Sequence, residues 1–148
     1  MTLSDPRLAI RTGIYNALLG AISFNSQVLQ VYDVSAIPFS ASKPYITIGA
    51  QTITADNTKD RFGYSTTFQV GVSTTSSANN QAGEKSANQI MQSIQSVLVP
   101  SRTGFGFSAS GFDLYSIELD SDTLIKSNSG VESEIFFVCV FRVKCFQN

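Results

Sequence analysis

The chain has 148 residues, a formal net charge of −1, 43% hydrophobic residues and only 14% charged ones. A chain of this length can bury a real core as one domain, and its hydrophobic share is that of an ordinary folded protein, which excludes disorder. Near-neutral charge with no basic patch argues against tight, unassisted binding of nucleic acid.

Ser4-Asp5-Pro6 reads as a helix start, with a capping side chain and then Pro in the first turn. Ile10, Ile14, Leu18 and Ile22 follow at spacing four beside Ala17 and Ala21, predicting an amphipathic helix that ends near Asn25. Val28 to Tyr32 predicts a short strand, and Asp33 to Lys43, with Pro38, an irregular loop. Pro44 to Thr54 predicts a strand in which Ile46, Ile48 and Ala50 alternate with polar or small residues. After the polar tip Ala55 to Arg61, Phe62, Tyr64, Thr66, Phe68, Val70 and Val72 share one face of the next strand, which completes a long hairpin.

Ser76 to Gly83 is Ser/Asn-rich and predicts a loop. Ala87, Ile90, Met91, Ile94, Val97 and Leu98 form the stripe of a second helix that Pro100 stops. Ser101 to Gly111 is a Gly/Ser-rich loop holding Phe105 and Phe107. Phe112 to Thr123 predicts a strand with Tyr115, Ile117 and Leu119 on one face. Ser127-Asn128-Ser129-Gly130 is a turn signal, and Glu134 to Phe146 is the closing strand. The order α-β-β-β-α-β-β predicts an α+β fold: a largely antiparallel sheet with two helices packed on one face, in a single domain spanning 1–148.

Chemistry-bearing constellations are sparse. The chain has no histidine, which removes the commonest general base, the commonest metal ligand and every Ser-His or Cys-His nucleophile. Cys139 and Cys145 fall six residues apart on one strand, roughly 20 Å at the strand rise and beyond disulfide reach. Both are expected to be reduced thiols, as in a protein assembled in a reducing cytoplasm. Gly104-Phe105-Gly106-Phe107 is glycine-rich, but no helix signal and no Lys-Ser/Thr follows, so it does not read as a phosphate loop. No enzymatic activity, cofactor or metal is expected. The start of the chain has no basic region followed by an apolar stretch, so no secretory leader is expected. The longest apolar run, Ile135 to Phe141, is too short to span a bilayer, and no membrane partner is expected.

Interaction candidates are more numerous. The low share of charge fits a surface partly covered by partners, and it fits equally a surface rich in Ser, Thr, Asn and Gln. Asp56, Lys59, Asp60, Arg61 and Phe62 sit at or beside the hairpin tip. Phe105 and Phe107 are either anchors for a partner pocket or part of the chain's own core. Eight of the nine residues from Ile135 to Val143 are apolar, so both faces of the last strand need cover. The two helices can cover one. Phe136, Val138 and Val140 on the other need either the hairpin folded over them or a neighbouring subunit. Glu118, Asp120 and Asp122 alternate and so share an acidic face, with Arg142 and Lys144 placed to pair across the hairpin.

The stretch Val31-Tyr32-Asp33-Val34, Pro38 and Lys43-Pro44-Tyr45-Ile46-Thr47-Ile48-Gly49 resembles the signature of the tail-terminator, or tail-completion, proteins of tailed bacteriophages. Phe68-Gln69-Val70-Gly71-Val72-Ser73 is similar to that family's second hairpin strand, Ala87 to Leu98 to its helix, and Ile135 to Cys145 to its closing strand. As an order of elements the resemblance covers nearly the whole chain; residue by residue it concentrates in 31–49. It implies a ring, usually of six copies, on the head-proximal end of the tail tube. Such a ring ends tube growth and meets the head–tail connector or stopper protein. The implied partners are the chain itself, the tube protein and the connector, with DNA passing only transiently through the ring's lumen. Glu118, Asp120 and Asp122 are expected either to face that lumen, where carboxylates repel phosphates, or to be solvated. The implied location is the virion, in the neck of the tail. The long loop from Ser101 to Gly111 and the acidic alternation depart from the family pattern. Other readings are a head-side neck or stopper protein, a small adaptor or immunity-type binding domain, and an enzyme.

Overall fold

The computed structural model describes residues 2–77, 83–129 and 132–148. The chain forms helix α1 (Arg7–Leu18), a two-residue hairpin β1 (Ser23–Phe24) and β2 (Gln27–Val28), then β3 (Val31–Asp33), β4 (Tyr45–Ala55) and β5 (Gly63–Ser77). Helix α2 (Gly83–Leu98) and the long strands β6 (Phe112–Ser129) and β7 (Glu132–Gln147) complete it. The main sheet has the order β3-β4-β5-β7-β6, with β3 parallel to β4 and every other pairing antiparallel. Around this sheet the elements follow the expected α-β-β-β-α-β-β order, and the fold is α+β. The expected turn at Gly130 and most of the stretch 76–83 lie outside the described residues.

The N-terminal helix is shorter than its periodicity suggests. Asp5, rather than Ser4, holds its start: the Asp5 carboxylate accepts from the Arg7 N–H at 2.9 Å and from the Arg7 guanidinium at 2.6 Å. These bonds hold the Asp5 carboxyl below its usual range, the side-chain bond from Arg7 contributing most. The helix stops at Leu18, and Gly20 takes φ +78°, a conformation that glycine adopts without strain. Ile22 still reaches the core, carried there by the β1–β2 hairpin, whose turn residues Asn25 and Ser26 have φ of 50° and 63°. The strand expected at Val28 to Tyr32 is thus divided between β2 and β3.

One hydrophobic cluster lies between the helices and one face of the sheet. Ile10, Ile14 and Leu18 of α1 and Ala87, Ile90, Met91, Ile94 and Leu98 of α2 pack onto Ile46, Ile48, Phe68, Val70, Val72, Cys139, Phe141 and Val143. The expected face of β5 holds: Tyr64, Thr66, Phe68, Val70 and Val72 are buried, and Phe62 packs at the cluster's edge. At the β3 side a side chain covers two backbone carbonyls. Arg11 donates to the carbonyls of Ile48 and Gly49, each at 2.8 Å, where the β4–β5 register shifts, and pairs with Asp33 at 2.8 Å.

Both thiols are buried in this core on β7. Burial pushes Cys145 up to about 11, and it raises Cys139 although the Gln95 amide, 3.6 Å from its sulfur, opposes the shift. Thiol reagent should therefore label the native protein slowly and find two thiols once it is unfolded. A Cys145 whose pKa is raised on folding contributes stability below its unfolded value of 9.0 and loses it as pH rises through about 11. Between those values stability should fall by roughly 2–3 kcal/mol, and Cys145→Val should flatten the decline in urea titrations at stepped pH.

Candidate interaction surfaces

Residues directly opposite each other in a ladder project to the same side of the sheet, and successive residues alternate. On β7 the odd-numbered residues Ile135, Cys139, Phe141, Val143 and Cys145 point under the helices. Phe136, Val138 and Val140 therefore lie on the other face, where each is half-buried. The β4–β5 hairpin lies in the plane of the sheet beside β7, not across it, so it adds no layer over that face. Local side chains give partial cover. A Cβ added at Gly71 would lie 2.7 Å from the Phe136 ring, so the absence of a side chain there lets Phe136 lie flat across β5. Ile125, opposite Phe136 on β6, extends this apolar face and is 53% exposed.

The acidic alternation does not form one face. Glu118 pairs opposite Arg142 and Asp122 opposite Cys139, with a register shift between Leu119 and Ser121. Asp120, the extra residue at that bulge, reaches Arg142 at 3.4 Å. Glu118 and Asp120 thus lie with Arg142 on the outer face. Asp122 turns to the helix side, where its charge helps raise the Cys139 thiol. The expected pairing of Arg142 with the acidic set holds for Asp120. Strict alternation fails because a bulge inserts one residue without leaving a sequence mark. With its three carboxylates split between faces, the set should show no micromolar calcium binding by titration calorimetry; such binding would mean the bulge is not there.

At the hairpin tip, Asp56, Lys59 and Asp60 are exposed. Arg61 is already engaged within the chain. It meets Asp113 at 2.7 Å and lies over the Phe146 ring, 4.9 Å from its centre. Phe62 packs against the core. Tyr115, which sequence reading placed only as one of a strand face, is the second bulge residue of β6 and stacks on Phe146 at 4.7 Å.

The loop from Ser101 to Gly111 is a core piece. Phe107 is only 8% exposed and meets Phe68 edge-on at 6.0 Å, and Phe105 packs edge-on against Phe107 at 6.4 Å. The partner-anchor reading of Phe107 is overturned for that reason. An exposed aromatic that sequence reading did not single out is Phe39, fully exposed in the loop before β4. A Phe after Pro38, with no periodic apolar neighbours to share a face with, was its signal in the sequence. An open groove of about 690 Å³ runs between α1 and this core loop, lined by Leu8, Thr12, Asn16, Phe107 and Phe112 among others.

No protein-family model matches the chain, and no curated protein matches it. Solved structures do. The chain is similar to a chain of the virion of a native gene transfer agent particle, with 19% identity and a TM-score of 0.69, over 97% of this chain and 99% of that one. A second solved chain shares 16% identity with a TM-score of 0.55, over 95% of this chain and 96% of that one. At these identities the likeness establishes a common fold across the whole length of both chains.

Proposed function

We propose that this protein is a structural component of a phage-like virion, and that it forms the ring, of six copies, that closes the head-proximal end of a tail tube. The observation that carries the virion reading is the end-to-end likeness of fold to a chain of a gene transfer agent virion. Two features support a role in assembly. The outer face bearing Phe136, Val138, Val140 and Ile125 has no layer from the hairpin, and a neighbouring subunit is the remaining candidate for its cover. The tip residues Asp56, Lys59 and Asp60 project into solvent at one end of the sheet, where a tube or connector protein could meet them.

The specific step, ending tube growth, rests on the resemblance of residues 31–49 to tail terminators, as do the number six and the neck location. A ring arises when a heterologous contact closes on itself. DNA would pass through its lumen without being held, in keeping with the net charge of −1. In this reading the chain carries no catalysis and no cofactor.

The test is to mix the purified protein with its tube protein and to image the tails. Tubes that stop at defined length with a six-fold ring at the head-proximal end are the expected result. A head-proximal ring lacking this chain, or a ring of another stoichiometry, overturns the tail-ring reading. Its presence on the head side alone identifies a stopper instead.

A further inference from the structure

The two edges of the sheet differ. At the β3 edge, Arg11 occupies the carbonyls of Ile48 and Gly49. The other edge is β6, an 18-residue strand without Gly or Pro that, among the described residues, pairs only with β7. From Leu119 to Ser127 every residue of β6 is exposed, including Leu119 at 50%, Leu124 at 39% and Ile125 at 53%. A long edge with apolar side chains on both faces and a row of unpaired backbone groups is one that soluble proteins cover.

We propose that in the free protein this edge is covered by the same edge of a second copy, the two β6 strands running antiparallel with Leu124 opposite Leu124. The register follows from charge. Asp122, Leu124 and Lys126 lie opposite Cys139, Phe137 and Ile135 and so share the helix side of the sheet. With the two-fold axis at Leu124, Asp122 of each copy faces Lys126 of the other, and on the outer face each Thr123 meets Ile125. Neither Asp122 nor Lys126 has an ion pair among the described residues. A centre at Asp122 or Lys126 would set like charges against each other. A centre at Thr123 or Ile125 would set Leu124 against a charge. Opposed charges across a strand pair favour association and like charges oppose it, so the single register that satisfies both Asp122 and Lys126 is selected.

The product is a ten-stranded sheet with all four helices on one side. An isologous contact of this kind stops at two copies and builds no ring. The dimer is therefore a state of the free subunit, distinct from the proposed tail ring, and it shields an aggregation-prone edge before assembly.

The experiment uses the full chain in solution. Sedimentation equilibrium should report a dimer. Leu124→Cys should become a covalent dimer under mild oxidation, since directly opposed positions lie within disulfide reach, while Leu119→Cys, away from the two-fold axis, should not. Asp122→Lys alone, or Lys126→Asp alone, sets like charges together in both pairs and should weaken the dimer roughly tenfold. The double exchange should restore it. Because these side chains are exposed, circular dichroism should show each variant folded. A wild-type monomer at all concentrations, a dimer that does not cross-link through Leu124→Cys, or single reversals without effect would each overturn the proposal. None of these bears on the tail ring, which imaging of tails tests separately.

Discussion

Replacing Phe68 by alanine should lower the free energy of unfolding by about 3–5 kcal/mol, the range for removing a large aromatic from a closed core. Phe68 is fully buried in the middle of β5, the strand flanked by β4 and β7. Its ring stacks on Phe141 at 5.3 Å with 17° between planes and meets Phe107 edge-on at 6.0 Å. The alanine would leave a cavity bounded by the sheet and by the 101–111 segment, and a dense core collapses only partly into such a space. In urea titrations the midpoint should fall while the slope stays constant. Phe137→Ala, at a half-buried site on the same face, should cost distinctly less. Equal losses at the two positions would mean that the Phe68–Phe141–Phe107 contact is not the centre of the core.

The burial of Phe68 was visible in the sequence, because β5 lies in the interior of the sheet with one face under helices. There, alternation maps directly onto burial. On β6 the same reasoning failed, because bulges at Tyr115 and Asp120 each add a residue and reverse the parity beyond them. Nothing in Glu118-Leu119-Asp120-Ser121-Asp122 marks the slip. The spacing of Ile10, Ile14, Leu18 and Ile22 found the buried residues but overran the helix. Periodicity says which side chains reach the core; Gly20 says where the backbone turns. Arg11, beside the apolar Ile10, reaches back to bond two β4 carbonyls where β3 ends. Such long-range use of one polar side chain leaves no local pattern. The candidate contacts fared likewise. Exposure at Asp56, Lys59 and Asp60 followed from turn composition, whereas the burial of Phe107 depended on what its glycines were for.

Those glycines separate under substitution. In Gly104-Phe105-Gly106-Phe107 the two glycines look equivalent, as a flexible loop would require. The structure gives them different tasks. A Cβ on Gly106 would stand 1.6 Å from the Val97 carbonyl oxygen, 2.7 Å from its carbon and 3.2 Å from Leu98 Cα. These are backbone atoms of the last turn of α2 and cannot rotate away. The Gly106 N–H donates to the Leu98 carbonyl at 3.0 Å, satisfying one of the acceptors a helix end leaves open. Gly106→Ala must therefore push the segment off the helix, losing that bond and lifting Phe107 away from Phe68. Overpacking of about 1–3 kcal/mol plus a hydrogen bond of about 1 kcal/mol gives a loss on the order of 3 kcal/mol. At Gly104 the nearest atom to an added Cβ is the Ser101 hydroxyl oxygen at 2.6 Å, on a side chain free to turn. Gly104→Ala should stay within about 1 kcal/mol of the parent. Urea midpoints of the two variants measure the difference directly. If both substitutions prove equally mild, 101–111 is the flexible connector its composition suggests, and Phe107 becomes available to a partner after all.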